Sequence, residues 1–108
     1  MDEFYALAEP NRRKIIEILA ENGQLSSTEI CSNFGITAQA VSQHLGILLS
    51  AGIVHMHKKA QRHIYELNPD SLSGLGEWAR KTEKRWNERL DRLDIVLKEE
   101  KANAKKTM

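Results

Sequence analysis

The sequence has one cysteine, almost no net charge and no long apolar run, and each shortage excludes a class of protein. The lone thiol, Cys31, forms neither an intrachain disulfide nor a zinc site built from several cysteines, and it fits a reducing cytosol. The formal net charge is only +1, so binding to nucleic acid would require a local basic patch.

No stretch approaches the roughly 18 apolar residues of a membrane span. The N-terminal "MDEFYALAEP" lacks the basic segment and the apolar run of a signal peptide. A glycine-rich phosphate loop, a nucleophile elbow and a convincing pair of acids are also missing. We therefore expect a cytoplasmic protein that is not an enzyme, holds no cofactor or metal and contacts no membrane.

Size and composition fit one small globular domain. The 108 residues are 41% hydrophobic and 29% charged, which are ordinary values. We expect a single domain over residues 1–100 and a frayed polar tail over residues 101–108. A core of this size is modest, so a partner subunit would help to stabilise it.

Start and stop signals define the first helices. Pro10 suits the first turn of a helix with apolar residues at helical spacing, and Gly23 ends that helix. A shorter helix precedes it. Ser26 and Glu29 have the spacing of a capping box, which predicts the start of another helix.

The short link "GIT" predicts a helix-turn-helix. Gly35 is expected to end the first helix in a left-handed conformation, and Thr37 to cap a second helix from about Ala38 to Ala51. Two helices joined so tightly must cross at a steep angle. The second helix has an apolar inner stripe of Val41, Leu45, Leu48 and Leu49.

After this helix, the spacing of apolar residues changes from helical to alternating. This change predicts two short strands around a turn near Lys59–Gln61, with basic side chains at the tip. Asn68 and Pro69 then restart a helix. The predicted fold is therefore mainly α with a small β-hairpin. The order of the elements is that of a winged helix-turn-helix domain.

Apolar residues recur every three or four positions from Leu72 to Leu97, over about seven turns of the last helix. The rest of the chain is too small to cover them, so the simplest partner is a second copy. The alternative role for Trp78 and Trp86 is to line a pocket for a small ligand. The expected homodimer interface comprises Phe4, Leu7, Leu75, Trp78, Ala79, Thr82, Trp86, Leu90, Leu93 and Leu97.

The segments "EPNRRKIIEIL" and "AVSQHLGILLSAGIV", and the strand "RHIYELNP" before the last helix, resemble the ArsR/SmtB family of bacterial and archaeal transcriptional repressors. The resemblance covers residues from about 4 to 97. It implies a homodimer formed through the terminal helices and bound to a two-fold symmetric operator.

Side chains at the start of the second helix of the helix-turn-helix suit DNA. A major groove admits one helix. Within it, Gln can pair with adenine, Ser can hydrogen-bond to more than one base, and Ala can contact the thymine methyl group. We expect Thr37 to cap the helix and reach a phosphate. His44 either contacts DNA or packs at the margin of the groove. The residues predicted to read bases are Gln39, Ala40, Ser42 and Gln43.

The basic tip of the hairpin, here called the wing, suits backbone phosphates or the minor groove. Its residues are Lys58, Lys59, Gln61 and Arg62. Three further basic residues at the start of the second helix are interpreted as an ordinary surface cluster, with a contact to phosphate as the alternative. They are Arg12, Arg13 and Lys14.

Metal-binding members of the resembled family carry two cysteines in the first helix of the helix-turn-helix, or Asp and His on the final helix. Here Asn33 stands where the second cysteine would follow Cys31, and no His follows His63. His55 and His57 share a strand face, and the length of the turn decides whether His63 joins them.

The sequence therefore predicts a homodimeric, sequence-specific repressor of transcription that binds double-stranded DNA. One alternative is a metal- or thiol-responsive derepressor with the same fold. The other is a winged-helix module that binds a protein instead of DNA. The sequence does not identify an inducer or a regulatory protein that would act on it.

Overall fold

A computed structural model describes residues 2–106, with side chains described up to residue 100. The chain forms two compact units, one ending at Ser73 and one beginning at Gly74. The elements are α1 (Glu3–Leu7), α2 (Pro10–Asn22), β1 (Gln24–Ser26), α3 (Ser27–Cys31), α4 (Ala38–Ser50), β2 (Val54–Lys59), β3 (Arg62–Leu67) and α5 (Pro69–Lys106).

The first unit is built around one apolar core to which every element except α5 contributes. The apolar stripe of α4 is confirmed, since Val41, Leu45 and Leu48 are buried and Leu49 is partly buried against them. These side chains meet residues of α1, α2, α3 and the sheet. The remaining buried apolar residues are Ala6, Ile15, Leu19, Ile30, Ile53, Val54 and Tyr65.

The predicted helix caps are confirmed. The helix α2 begins at Pro10, and Gly23 follows its end with φ 83°. Ser26 Oγ accepts from the backbone N–H of Glu29, and the Glu29 carboxylate accepts from the backbone N–H of Ser26. The Thr37 hydroxyl accepts from the backbone N–H of Ala40 at 3.1 Å and so caps α4.

The predicted role of Gly35 is wrong. The helix α3 ends at Cys31, and among residues 2–106 the only glycines with positive φ are Gly23 and Gly52. The chain instead leaves α3 through tight turns in which Asn33 N–H and Phe34 N–H each bond three residues back. The side chains of Ser32 and Asn33 both donate to the Glu29 carbonyl, which favours a turn over further helix.

The sheet has three antiparallel strands in the order β1-β3-β2, one more than the predicted hairpin. The hairpin itself is confirmed: Lys59 pairs with Arg62 across its turn, and Val54 pairs with Leu67 at its far end. The additional strand, β1, pairs Leu25 with Tyr65. Three residues are too few for an alternating pattern to be visible in the sequence.

The hairpin turn places a non-glycine residue in a left-handed conformation. Ala60 has a φ of 57°. The methyl group of Ala60 makes this conformation costly relative to glycine. The wing therefore retains some backbone strain at its tip.

Arg12 joins α1, α2 and α4, which the sequence did not predict. It is buried, with 7% exposure. Its Nε donates to the Ala6 carbonyl at 2.7 Å and its Nη2 to the Tyr5 carbonyl at 3.2 Å. Its Nη1 lies 3.4 Å from His44 Nδ1 on α4. The interpretation of Arg12 as surface charge is therefore wrong, whereas Arg13 and Lys14 are exposed.

The helix α5 begins as predicted, with the Asn68 side chain accepting from the backbone N–H of Asp70. Within the second unit, Lys81 pairs with Glu77 and Lys98 with Asp94, each at i,i+4 spacing. The helix continues to Lys106. The rest of the predicted frayed tail, residues 107–108, lies outside the described residues.

None of the helices described within residues 2–106 is both long enough and apolar enough to span a membrane.

Replacing Ala60 by glycine should increase the free energy of unfolding by about 0.5–1 kcal/mol, because glycine relieves the left-handed strain. Urea denaturation measures the change. Ala20→Gly is the matched control, since this exposed alanine lies within α2 and its replacement should destabilise by about 1 kcal/mol. Equal destabilisation by both changes would contradict the strain at Ala60.

Arg12→Met should lower the free energy of unfolding by about 2–3 kcal/mol, since it leaves the Ala6 carbonyl without its charged donor. Arg13→Met is the control, because Arg13 is exposed and donates only to the Leu7 carbonyl. Its effect should stay within about 0.5 kcal/mol. If the two variants unfolded at similar urea concentrations, the hydrogen bond from Arg12 to the Ala6 carbonyl would not contribute to stability.

Candidate nucleic-acid interface

The start of α4 presents a row of exposed polar side chains above a buried apolar stripe. Gln39, Ser42 and Gln43 are exposed. Their side chains take part in none of the hydrogen bonds found within residues 2–100. Because Val41 and Leu45 bury the opposite face, these polar groups are held outward and are free to bind a ligand.

Two further predicted contact residues frame this row. Thr37 is exposed and uses its hydroxyl oxygen to cap α4. Ala40 lies in the first turn of the helix and is partly buried. The cap places the first peptide N–H groups of α4 beside the exposed row, where a helix N-terminus favours a phosphate.

His44 lies apart from the exposed row. Only 17% of its side chain is exposed, and Nδ1 lies 3.4 Å from Arg12 Nη1 and 3.8 Å from Glu9 Oε2. A guanidinium group has no acceptor, so a hydrogen bond with Arg12 requires an unprotonated Nδ1 on His44. The contact fixes α4 to the start of α2, where Glu9 also caps that helix.

The four residues of the wing are brought together at the exposed end of the hairpin. Lys59 and Arg62 are cross-strand neighbours, and Lys58 pairs with His63. Lys58 and Lys59 form no ion pair within the described side chains. Their charges are therefore available to an external anion.

Glu29 adds one negative charge near the wing. Hydrogen bonds from the Ser26 backbone and side chain, and to a smaller extent the charge of Arg62, hold the pKa of Glu29 below its ordinary value. The carboxylate therefore stays ionised at neutral pH, and it offsets part of the positive charge of Arg62.

The strand register places the hairpin histidines on two faces. His57 pairs with Ile64, whereas His63 pairs with Lys58, so His63 lies on the face opposite His55 and His57. Across the described residues, no three His, Cys, Asp or Glu side chains are grouped to hold a metal. A metal site shared by these three histidines is therefore contradicted.

The second unit exposes much of the apolar face predicted to form the dimer. Trp86, Leu90 and Leu93 are 58%, 43% and 54% exposed. Leu75 is partly buried. Val96 is also exposed next to this face, although it was not among the residues predicted for the interface. In the first unit, Phe4 is exposed and Leu7 is partly buried.

Comparisons with known proteins agree with this architecture. A family model described as a helix-turn-helix domain matches residues 7–57. The transcriptional repressor SdpR of Bacillus subtilis is 35% identical over 75 residues, which are 69% of this chain and 82% of that repressor. The arsenical resistance operon repressor of the same organism is 32% identical over 73 residues, covering 68% of this chain and 70% of the relative.

The fold is also similar to that of solved structures. An ArsR-like transcriptional regulator from Rhodococcus has a TM-score of 0.78 at 21% identity, covering 88% of this chain and 86% of that protein. This likeness shows the winged-helix fold with its long C-terminal helix. The two repressors from Bacillus subtilis establish that this chain belongs to the ArsR family of DNA-binding transcriptional regulators.

Proposed function

We propose that this regulator is a homodimeric repressor that reads an inverted-repeat operator through the start of α4. The observation that carries the proposal is the free polar row of Gln39, Ser42 and Gln43 above a buried stripe. Glutamine amides and serine hydroxyls discriminate between base edges in the major groove. A rigid helix presents them in one fixed geometry.

Each residue of the helix start has a distinct role in this proposal. Gln39 and Gln43 hydrogen-bond to base edges, Ser42 bonds to a base or phosphate, and Ala40 contacts a thymine methyl group. Thr37 reaches a phosphate while it caps α4. We assign His44 to the junction with Arg12, since most of its side chain is buried there.

The wing supplies contacts that do not depend on sequence. Lys58, Lys59 and Arg62 bind phosphates, and Gln61 at the turn reaches the sugar-phosphate backbone or the adjacent minor groove. Such contacts release counterions from DNA, so affinity falls steeply as salt rises. They fix the orientation of α4 in the groove.

The dimer forms through the apolar face of α5. The exposed tryptophan and leucine side chains of this face supply apolar area that a second copy would remove from water. Two-fold symmetry then sets the spacing of the half-sites at about one DNA turn or a small multiple of it. The remaining predicted members of the interface are Phe4, Leu7, Leu75, Trp78, Ala79, Thr82 and Leu97.

Repression follows if the operator overlaps a promoter, because a bound dimer then blocks the polymerase. The protein acts where the DNA lies, which places it in the cytoplasm. The proposal contains no catalytic step, no cofactor and no metal.

Gln43→Ala should weaken binding to the best-bound genomic fragment by about 1–3 kcal/mol and change binding to random DNA much less, because a base contact is lost. Lys59→Ala is the matched variant on the wing. It should weaken both DNAs equally and reduce the slope of log K against log salt by about one. Fluorescence anisotropy at several salt concentrations measures both effects.

Two outcomes would contradict these roles. If Gln43→Ala weakened both DNAs equally, Gln43 would not read a base. An unchanged salt slope for Lys59→Ala would exclude this lysine from the phosphate contacts. Complete absence of salt-sensitive DNA binding by the unaltered protein would favour the protein-interaction module.

Leu90→Lys should convert dimers into monomers, because it places a charge in the centre of the apolar face of α5. Glu88→Gln is the control: it changes the net charge by the same +1 on the charged face and should leave the dimer intact. Light scattering after size-exclusion chromatography measures the mass. A monomeric unaltered protein, or equal dissociation of both variants, would refute dimerisation through this face.

A further inference from the structure

A cavity of about 280 Å³ lies in the first unit between α3, α4 and β3. This volume lies just below the usual range of small-molecule sites. Val41, Leu45 and Tyr65 form a buried apolar wall. Ser42 and His63 are exposed and border its open side.

Tyr65 lines this cavity and carries a hydroxyl group that the described residues leave unused. The residue is only 7% exposed, yet its hydroxyl takes part in no hydrogen bond within the described part of the chain. No fully enclosed side-chain oxygen there lacks a partner, so the hydroxyl must border open space. Burial also raises the pKa of Tyr65, which keeps the phenol protonated and able to donate.

The lining sets the chemistry of a ligand. Lys, Arg, Asp and Glu are absent from the described residues that line the cavity. The exposed His63 is the one lining side chain there that could pair with an anion, so most charged molecules would lose hydration without gaining an ionic partner. A neutral molecule with an apolar body and one oxygen can cover Val41 and Leu45 and also satisfy the Tyr65 hydroxyl.

We propose that this cavity binds a small, neutral, mainly apolar molecule carrying one hydroxyl or carbonyl oxygen, and that its binding opposes the binding of DNA. The second part rests on the proposed function. It follows because Ser42 both lines the cavity and belongs to the polar row of α4. A ligand that engages Ser42 removes it from the DNA contact, and linkage makes the two binding events mutually antagonistic.

Cys31 provides a direct reporter of occupancy. It lines the cavity, it is partly buried, and it is the only cysteine in the chain. Phenol is the probe, and toluene is the matched control with the same ring and no hydroxyl. Phenol at millimolar concentration should slow alkylation of Cys31 by iodoacetamide about five-fold, and toluene should be about five-fold less potent.

Tyr65→Phe removes the hydroxyl and keeps the ring. It should reduce the preference for phenol over toluene to less than about two-fold. Equal protection of Cys31 by phenol and toluene in the unaltered protein would overturn the assignment of Tyr65. Absence of protection by phenol at any concentration at which the protein stays folded would overturn the site.

The antagonism is tested separately on DNA. Saturating phenol should weaken binding of the unaltered protein to its best-bound genomic fragment about three-fold or more, whereas toluene at the same concentration should have a smaller effect. If phenol protected Cys31 but left the affinity for DNA unchanged, the antagonism would be refuted and the ligand site would stand. Protection in a protein that binds no DNA even without phenol would confirm the site and refute the proposed function.

Discussion

The structure depends on how α4 is buried on one face. Val41, Leu45 and Leu48 are removed from water by the core, so α4 cannot rotate without exposing them. The same constraint holds Gln39 and Gln43 toward solvent. Stability and recognition are therefore two consequences of one amphipathic helix, because the apolar stripe fixes the position of the polar row.

Polar contacts at the N-terminal end add a second constraint. Arg12 ties the carbonyl groups of α1 to α2 and approaches His44 on α4. Glu9 caps α2 from the same place. The two compact units carry different proposed roles. The first contains the polar row and the wing, and the second contains the exposed apolar face proposed to pair two copies.

Local signals in the sequence were sufficient for most elements. The caps at Ser26 and Thr37 and the stripe of α4 follow from side-chain chemistry within one turn, so they were predictable. The third strand, the end of α3 and the junction at Arg12 depend on partners distant in the chain or on competing turns, which no short window reveals. The register of the hairpin likewise had to be seen before His63 could be separated from His55 and His57.

The most direct test of the account is selection of bound duplexes from a random-sequence pool, followed by sequencing. A symmetric repressor should enrich an inverted repeat with half-sites about one helical turn, or a small multiple of it, apart. Gln43→Ala should relax the preference at the same position of both half-sites. A pool without an enriched sequence, or an asymmetric site unaffected by Gln43→Ala, would contradict it.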